Sequence, residues 1–189
     1  MTARGRDRAA RLTGSERRAQ LLDVAAACFA RHGYHATTTA MLAREAGITE
    51  PILYQHFDDK RALFIELISV TAGRMIDALK ELWDAAPSHA DRARLLTAMA
   101  EPKAEGGTEL DAELAMGWRI LACAFVAGWA EPDIARTATA AHERLHQTVR
   151  ALLDQLPEAA RPPAITDSDP VAQLLAHAIG RAVITPRLS

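Results

Sequence analysis

The stretch GITEPILYQHF, Gly47 to Phe57, decides how this chain is read. Thr49 can cap a helix, and Pro51 sits in its first turn, where a missing N–H costs nothing. The helix that follows is about seven residues long by this pattern, too short to hold itself together in water. It nevertheless carries Tyr54, Gln55 and His56 in a row. Something must support this helix from outside, and something must use its polar side chains.

Upstream, Ser15 can cap a helix to about His32, with Leu21, Leu22, Ala25, Cys28 and Phe29 on one stripe and Gly33 ending it. Thr37 or Thr38 caps a second, shorter helix through Met41, Leu42 and Ala46, stopped by Gly47. Downstream, Asp58 or Asp59 begins a long fourth helix, with Leu63, Phe64, Leu67, Ile68, Thr71, Met75, Ile76, Leu79 and Trp83 at helical spacing, closed by Ala85-Ala86-Pro87-Ser88. Ser88 caps a helix to about Ala100, and a loop follows from Glu101 to Gly107. Further helices are read at Glu109–Ala130 and Pro132–Leu156, then a linker from Pro157 to Asp167. The last helix runs from about Asp169 to Ile184. No strand is expected, so the chain reads as all-α.

Two short helices separated by Gly47-Ile48-Thr49 have the form of a helix-turn-helix. In that arrangement the second helix lies in the major groove of DNA, and its neighbours bind phosphates. Phe29, Leu42, Ile48, Leu53, Phe57 and Leu63 supply the support from helices one and four. The reading divides the chain into a basic, disordered arm (1–14), a three-helix DNA-binding domain (15–62) and a larger helical ligand-binding and dimerisation domain (63–189).

Composition agrees with that assignment. Hydrophobic residues make up 49% and charged residues 24%, ordinary usage for a soluble globular protein. The net charge of −2 hides an asymmetry: residues 1–62 carry ten Lys/Arg against seven Asp/Glu, and the remainder twelve against seventeen. A basic arm ahead of a folded domain suits a polyanion partner. The arginines near the N-terminus have no apolar run behind them, and the most apolar uncharged stretch, Ile120 to Ala130, is too short to span a bilayer. A cytoplasmic protein with no membrane partner is expected, its two cysteines reduced.

The run from Ala19 to Leu63 resembles the DNA-binding domain of TetR-family (tetracycline-repressor-like) regulators. The resemblance rests on Leu22, Ala25, Phe29, Gly33-Tyr34, Ala36-Thr37-Thr38, Leu42-Ala43, Ala46-Gly47-Ile48-Thr49, Leu53-Tyr54, His56-Phe57, Lys60 and Leu63. Thr39, where an aliphatic is common, and Pro51, where a small residue is frequent, depart from the pattern. The resemblance implies that Thr38 (or Thr37) and the second helix's first amides bind a phosphate. It implies likewise that Thr49, Tyr54 and His56 bond flanking phosphates, with Lys60 placing its charge near the DNA backbone. Arg44, Glu50, Pro51, Ile52 and Gln55 are then the candidates for base reading.

The C-terminal part offers three further signals. His142-Glu143-Arg144-Leu145-His146 matches the H-E-x-x-H zinc-protease pattern, so a zinc-dependent hydrolase is the alternative function. It needs a third ligand, and the extended motif's Gly and His are replaced by Val149 and Leu152; Glu158 is a distant candidate. Ile134, Ala138, Ala141, Leu145 and Leu152 form a helical seam, with Val171, Leu174, Leu175, Ala178, Ile179 and Ala182 as a matching face on the last helix. An internal core would serve equally; by resemblance they form a four-helix homodimer interface. Trp83, Met99, Met116, Trp118, Leu121, Phe125 and Trp129 are candidate walls of a pocket for an apolar or aromatic effector. No cofactor motif is present. The expected function is a homodimeric repressor that releases a palindromic operator, double-stranded DNA, when a small molecule binds; it is not an enzyme.

Overall fold

The computed structural model describes residues 13–100 and 109–161. Seven α-helices follow in order: α1 (Gly14–Ala36), α2 (Thr39–Glu45), α3 (Glu50–Tyr54), α4 (Lys60–Ala85), α5 (His89–Ala100), α6 (Glu109–Gly128) and α7 (Pro132–Leu153), then a 3₁₀ turn at Glu158–Ala160. Among the described residues there is no strand. The all-α reading holds.

Helix ends lie where short polar side chains can satisfy orphan amides. Thr13, two residues before Ser15, caps α1: its hydroxyl accepts from Glu16 N–H while the Glu16 carboxylate accepts from Thr13 N–H, a complete capping box. Thr13 and Gly14 therefore belong to the first helix and its cap rather than to the arm; residues 1–12 lie outside the described residues. Regular helix in α1 breaks at Gly33 (φ 78, ψ 169), a conformation essentially reserved for glycine. Thr38 caps α2, Asp59 caps α4, and Ser88 bonds the Asp91 amide at the start of α5.

The core explains the supports. Leu21, Leu22, Ala25 and Phe29 of α1 meet Leu42, Leu53, Phe57, Leu63 and Phe64, all at most 5% exposed. The Phe29 and Phe64 rings lie 4.6 Å apart, and Tyr34 stacks on the same pair. In α4 the buried position near its middle is Ala72, not Thr71, which is half-buried. Helix α4 runs on into a body in which it packs against α6 and α7, and α6 also packs against α1. The buried residues form one continuous cluster from Leu21 to Leu156. At 26 residues and ~1.5 Å per residue, α4 is about 39 Å long and joins the short helices to that body.

The α7 seam requires a correction. Ile134, Ala138, Ala141, Leu145 and Leu152 are at most 6% exposed within a single chain, because this face of α7 lies against α4 and α6. They are protomer core and not contact between protomers. Val171, Leu174, Leu175, Ala178, Ile179 and Ala182 lie outside the described residues. The pocket wall is corrected at one end. Trp83, Trp118 and Leu121 are buried and Phe125 and Met116 half-buried, but Trp129 is 95% exposed, since α6 ends at Gly128 and Trp129 stands in the turn beyond. The Trp83 indole N–H donates to Gln155 Oε1 at 3.1 Å, so this ring is fastened inside the core. The side chain of Met99 falls outside what is described. An open hollow of about 410 Å³ lies between α4 and α7, lined by Ile76, Lys80, Arg144, Gln147, Thr148 and others, and contains none of the expected pocket residues.

Candidate nucleic-acid interface

The α2–α3 unit is built by its turn. Gly47 adopts φ +65, and with it the Ile48 amide bonds Ala43 O at 2.9 Å and the Gly47 amide bonds Arg44 O at 3.1 Å. That pair of bonds is the Schellman closure of a helix, in which the residue after the glycine packs back on the core. Ile48 does so. Thr49 then takes an extended backbone, and its carbonyl receives the Ile52 and Leu53 amides. Thr49's hydroxyl makes no capping bond, and Pro51 occupies the first turn. The resulting α3 has only five residues, shorter than its sequence pattern suggested. Leu53, at 0% exposed, is its single buried residue.

Everything else on α3 faces outward or sideways. Pro51, Ile52, Tyr54 and Gln55 are exposed, as are Arg44 on α2 and Thr49 before α3. Glu50 and Tyr54, one helical turn apart, converge on α2: the Thr39 hydroxyl donates to Glu50 Oε2 at 2.6 Å, and the Tyr54 hydroxyl donates to Thr39 Oγ1 at 3.4 Å. Arg44 lies 3.7 Å from Glu45 with 72% of its side chain exposed, a pair too solvated to hold it.

Two expected phosphate ligands are otherwise engaged. Thr37 is 0% exposed, and its hydroxyl donates inward to Gly33 O (2.8 Å) and Cys28 O (3.4 Å), so it closes α1 and does not face a partner. Thr38 is the exposed member of that pair, with its oxygen on the Met41 amide. The Lys60 ammonium donates to Tyr34 O and Thr37 O, each at 2.9 Å, and lies 4.4 Å from the centre of the Tyr34 ring. Partial burial holds its pKa below the ordinary lysine value. Lys60 thus ties the end of α1 to the start of α4, its charge turned inward. His56 is half-buried, and its carbonyl accepts from Arg18.

Three residues that position this surface carried no local signal. Arg18 bonds the His56 carbonyl and both oxygens of Glu66, and its guanidinium lies 4.1 Å from the centre of the Phe57 ring. Glu66 is 48 residues from Arg18, beyond the reach of any helical spacing. Thr39 was visible only as a departure from an aliphatic pattern.

In the H-E-x-x-H segment, the His142 and His146 rings lie 6.4 Å apart, and the Phe125 ring meets His142 edge-on. Glu143 is exposed. Among the described residues no three His, Cys, Asp or Glu side chains cluster so as to hold a metal ion, and no helix is long and apolar enough to cross a membrane.

Residues 21–67 match the family described as bacterial regulatory proteins, tetR family. The HTH-type transcriptional activator FasR of Mycolicibacterium smegmatis is 35% identical over 79 residues, covering 42% of this chain and 36% of that protein. The HTH-type transcriptional repressor AcnR of Corynebacterium diphtheriae is 37% identical over 67 residues, 35% of each chain. The matched segment spans about a third of these relatives' length. A transcriptional regulator from Pseudomonas aeruginosa PAO1 shares the fold at a TM-score of 0.64 and 24% identity, with 95% of this chain and 85% of that one covered. The family likeness is thus that of the helix-turn-helix segment, residues 21–67, and the solved structures add likeness of fold over the rest of the chain.

Proposed function

We propose that this protein is a tetR-family regulator, a homodimeric repressor that binds a pseudo-palindromic operator and releases it when a small molecule binds the larger helical body. The observation that carries the reading is the glycine-closed α2–α3 unit, with Pro51, Ile52, Tyr54 and Gln55 exposed along a helix too short to stand alone. Thr49, Tyr54 and His56 meet phosphates, while Arg44, Glu50, Pro51, Ile52 and Gln55 lie against base edges. Thr38, exposed at the first turn of α2, is a further phosphate contact.

Effector control runs through α4. One end of that helix carries Asp59, Lys60 and Arg61 beside the short helices, and the other carries Trp83 in the body. Arg61 also bonds Asp133 at 3.1 Å, linking the start of α4 to the start of α7. A ligand that binds more tightly to a body with α4 displaced draws the two α3 helices of a dimer out of register; a ligand with equal affinity for both states changes nothing. The effector is apolar or aromatic, seated near Met116, Trp118, Leu121 and Phe125. Since the inner face of α7 is core, dimer contact uses its outward face, where Thr139, Ala140, Glu143, Gln147 and Arg150 are exposed.

The test is a footprint on DNA upstream of the gene, followed by operator variants. Two α3 copies reading successive major grooves stand about 34–36 Å apart, one turn of DNA. Inserting about five base pairs at the operator centre turns one half-site to the opposite side, so affinity should fall to the non-specific level. Full affinity after the insertion would refute the paired-helix mechanism.

A further inference from the structure

We infer that Glu50, held by Thr39, is a specificity-determining residue that requires a cytosine amino group at one position of each half-site. The inference rests on the DNA-binding reading above and deepens it.

The argument begins with a conflict. A carboxylate on the outward side of a DNA-reading helix repels phosphates at every sequence, so it lowers affinity unless something in the groove answers it. A purely local role would be to serve its own helix, as a first-turn acid often does. Glu50 is instead pinned across the turn: Thr39 Oγ1 donates to its Oε2 at 2.6 Å, and the Tyr54 hydroxyl donates to the same Thr39 oxygen at 3.4 Å. Its side chain is thereby fixed by a second helix. The carboxylate has two oxygens, and Thr39 engages Oε2, so a half-buried Glu50 beside the exposed Pro51 keeps the accepting capacity of Oε1 for a partner.

The chemistry of the groove selects the partner. An ionised carboxylate can only accept. The major-groove donors are cytosine N4 and adenine N6; adenine's N6 adjoins the N7 acceptor, whose lone pair opposes the carboxylate, whereas cytosine offers its amino group beside an apolar C5 edge. Guanine and thymine present acceptors at the corresponding positions and are rejected. Glu50 therefore admits cytosine and penalises the other three bases.

The experiment is selection of bound sequences from a random-sequence duplex library by the full chain, in parallel for wild type, Glu50→Ala, Glu50→Gln and Thr39→Val, with helix content checked by circular dichroism. Wild type should yield a pseudo-palindrome with cytosine fixed at one position per half-site. Glu50→Ala should lose that preference alone, by a factor of about ten, and should bind random duplex several-fold more tightly because one repulsive charge is gone. Glu50→Gln should move the preference towards adenine, which Gln can bond at N6 and N7. Thr39→Val keeps the charge but frees the side chain, so it should weaken the cytosine preference without raising random-duplex affinity. A Glu50→Ala motif identical to wild type at every position would overturn the inference while leaving the regulator reading intact. Failure of wild type to select any motif would instead sink the regulator reading, and this one with it.

Discussion

Arg18 is the perturbation that best separates positioning from contact. Its guanidinium joins α1 to the turn after α3 through the His56 carbonyl, to α4 through Glu66, and to the Phe57 ring at 4.1 Å. The Arg18 and Glu66 side chains are 40% and 31% exposed, so solvent screens the ion pair to about 0.5–1 kcal/mol. The carbonyl bond adds about 1 kcal/mol and the ring contact about 0.5–1 kcal/mol. Arg18→Ala should therefore destabilise the fold by about 2 kcal/mol, since three contacts of one group do not add fully. Urea unfolding followed by circular dichroism at fixed protein concentration measures this, and a double-mutant cycle with Glu66→Ala should return a coupling of about 0.5–1 kcal/mol. On DNA, Arg18→Ala should lower affinity for the operator while leaving the slope of log affinity against log salt unchanged, because no phosphate contact is lost. A stability change under about 0.5 kcal/mol, or a salt slope that falls by about 0.9 per half-site, would show that Arg18 faces the phosphates and not the turn.

Three further outcomes follow from local geometry. Gly33→Ala should cost more than Gly47→Ala, roughly 2–3 against 1–2 kcal/mol, because φ 78 with ψ 169 is closed to side chains whereas the left-handed region near φ +65 is only strained; Gly47→Asn should recover part of the loss in the same urea assay, and equal costs at the two sites would contradict the argument. The Glu16 carboxyl is held below its ordinary 4.5 by the Thr13 amide first and the Thr13 hydroxyl second. Its contribution to stability is thus complete above about pH 4.5 and lost as pH falls through the lowered value, so Thr13→Ala should weaken that acid dependence, and superimposable acid limbs in the two proteins would refute it. Tyr54→Phe removes one 3.4 Å bond to Thr39; it should change stability by less than about 0.5 kcal/mol yet weaken binding to all sequences, because on DNA the hydroxyl turns its one hydrogen from Thr39 to a phosphate, and unchanged affinity across several salt concentrations would remove Tyr54 from the phosphate contacts.

What the sequence discloses here is what short-range chemistry decides. Thr38, Asp59 and Ser88 cap helices within three residues of themselves, and Gly33 and Gly47 break them through their own backbone, so each could be read without tertiary knowledge. The helix-turn-helix was legible for the same reason: Gly47-Ile48-Thr49 holds its closure, its packing residue and its next cap in three consecutive positions. Thr13 and Ser15 can both cap, and the reciprocal partner Glu16 distinguishes them only when its direction is known. Arg18, Lys60 and Thr37 were not legible as positioning groups, since their partners lie 48, 26 and 9 residues away or are backbone carbonyls that any sequence presents. Lys60 looks like a DNA-facing charge in sequence, and only the Tyr34 and Thr37 carbonyls reveal which way it turns.

Helix α7 shows where periodicity cannot decide. A stripe at spacings of four and three marks a buried face without saying whose surface covers it. Here α4 and α6 cover it, which divides the helix into an inner face that holds the protomer together and an outer one that is exposed. The division predicts opposite failures for two substitutions. Leu145, at 0% exposed, becomes an unpaired buried carboxylate in Leu145→Glu, which should cost more than about 4 kcal/mol and unfold the chain before any question of association arises. Ala140 is exposed five residues earlier, on the outward side. Ala140→Arg should leave the protomer's helix content and unfolding by urea unchanged, because arginine is a good helix former. It should nevertheless shift sedimentation from dimer to monomer and lower operator affinity together, since a long charged side chain replaces a methyl group on the proposed contact face. A folded monomer from Leu145→Glu would mean that the stripe is an interface after all, and a wild-type-like dimer from Ala140→Arg would exclude the outward face of α7 from the contact.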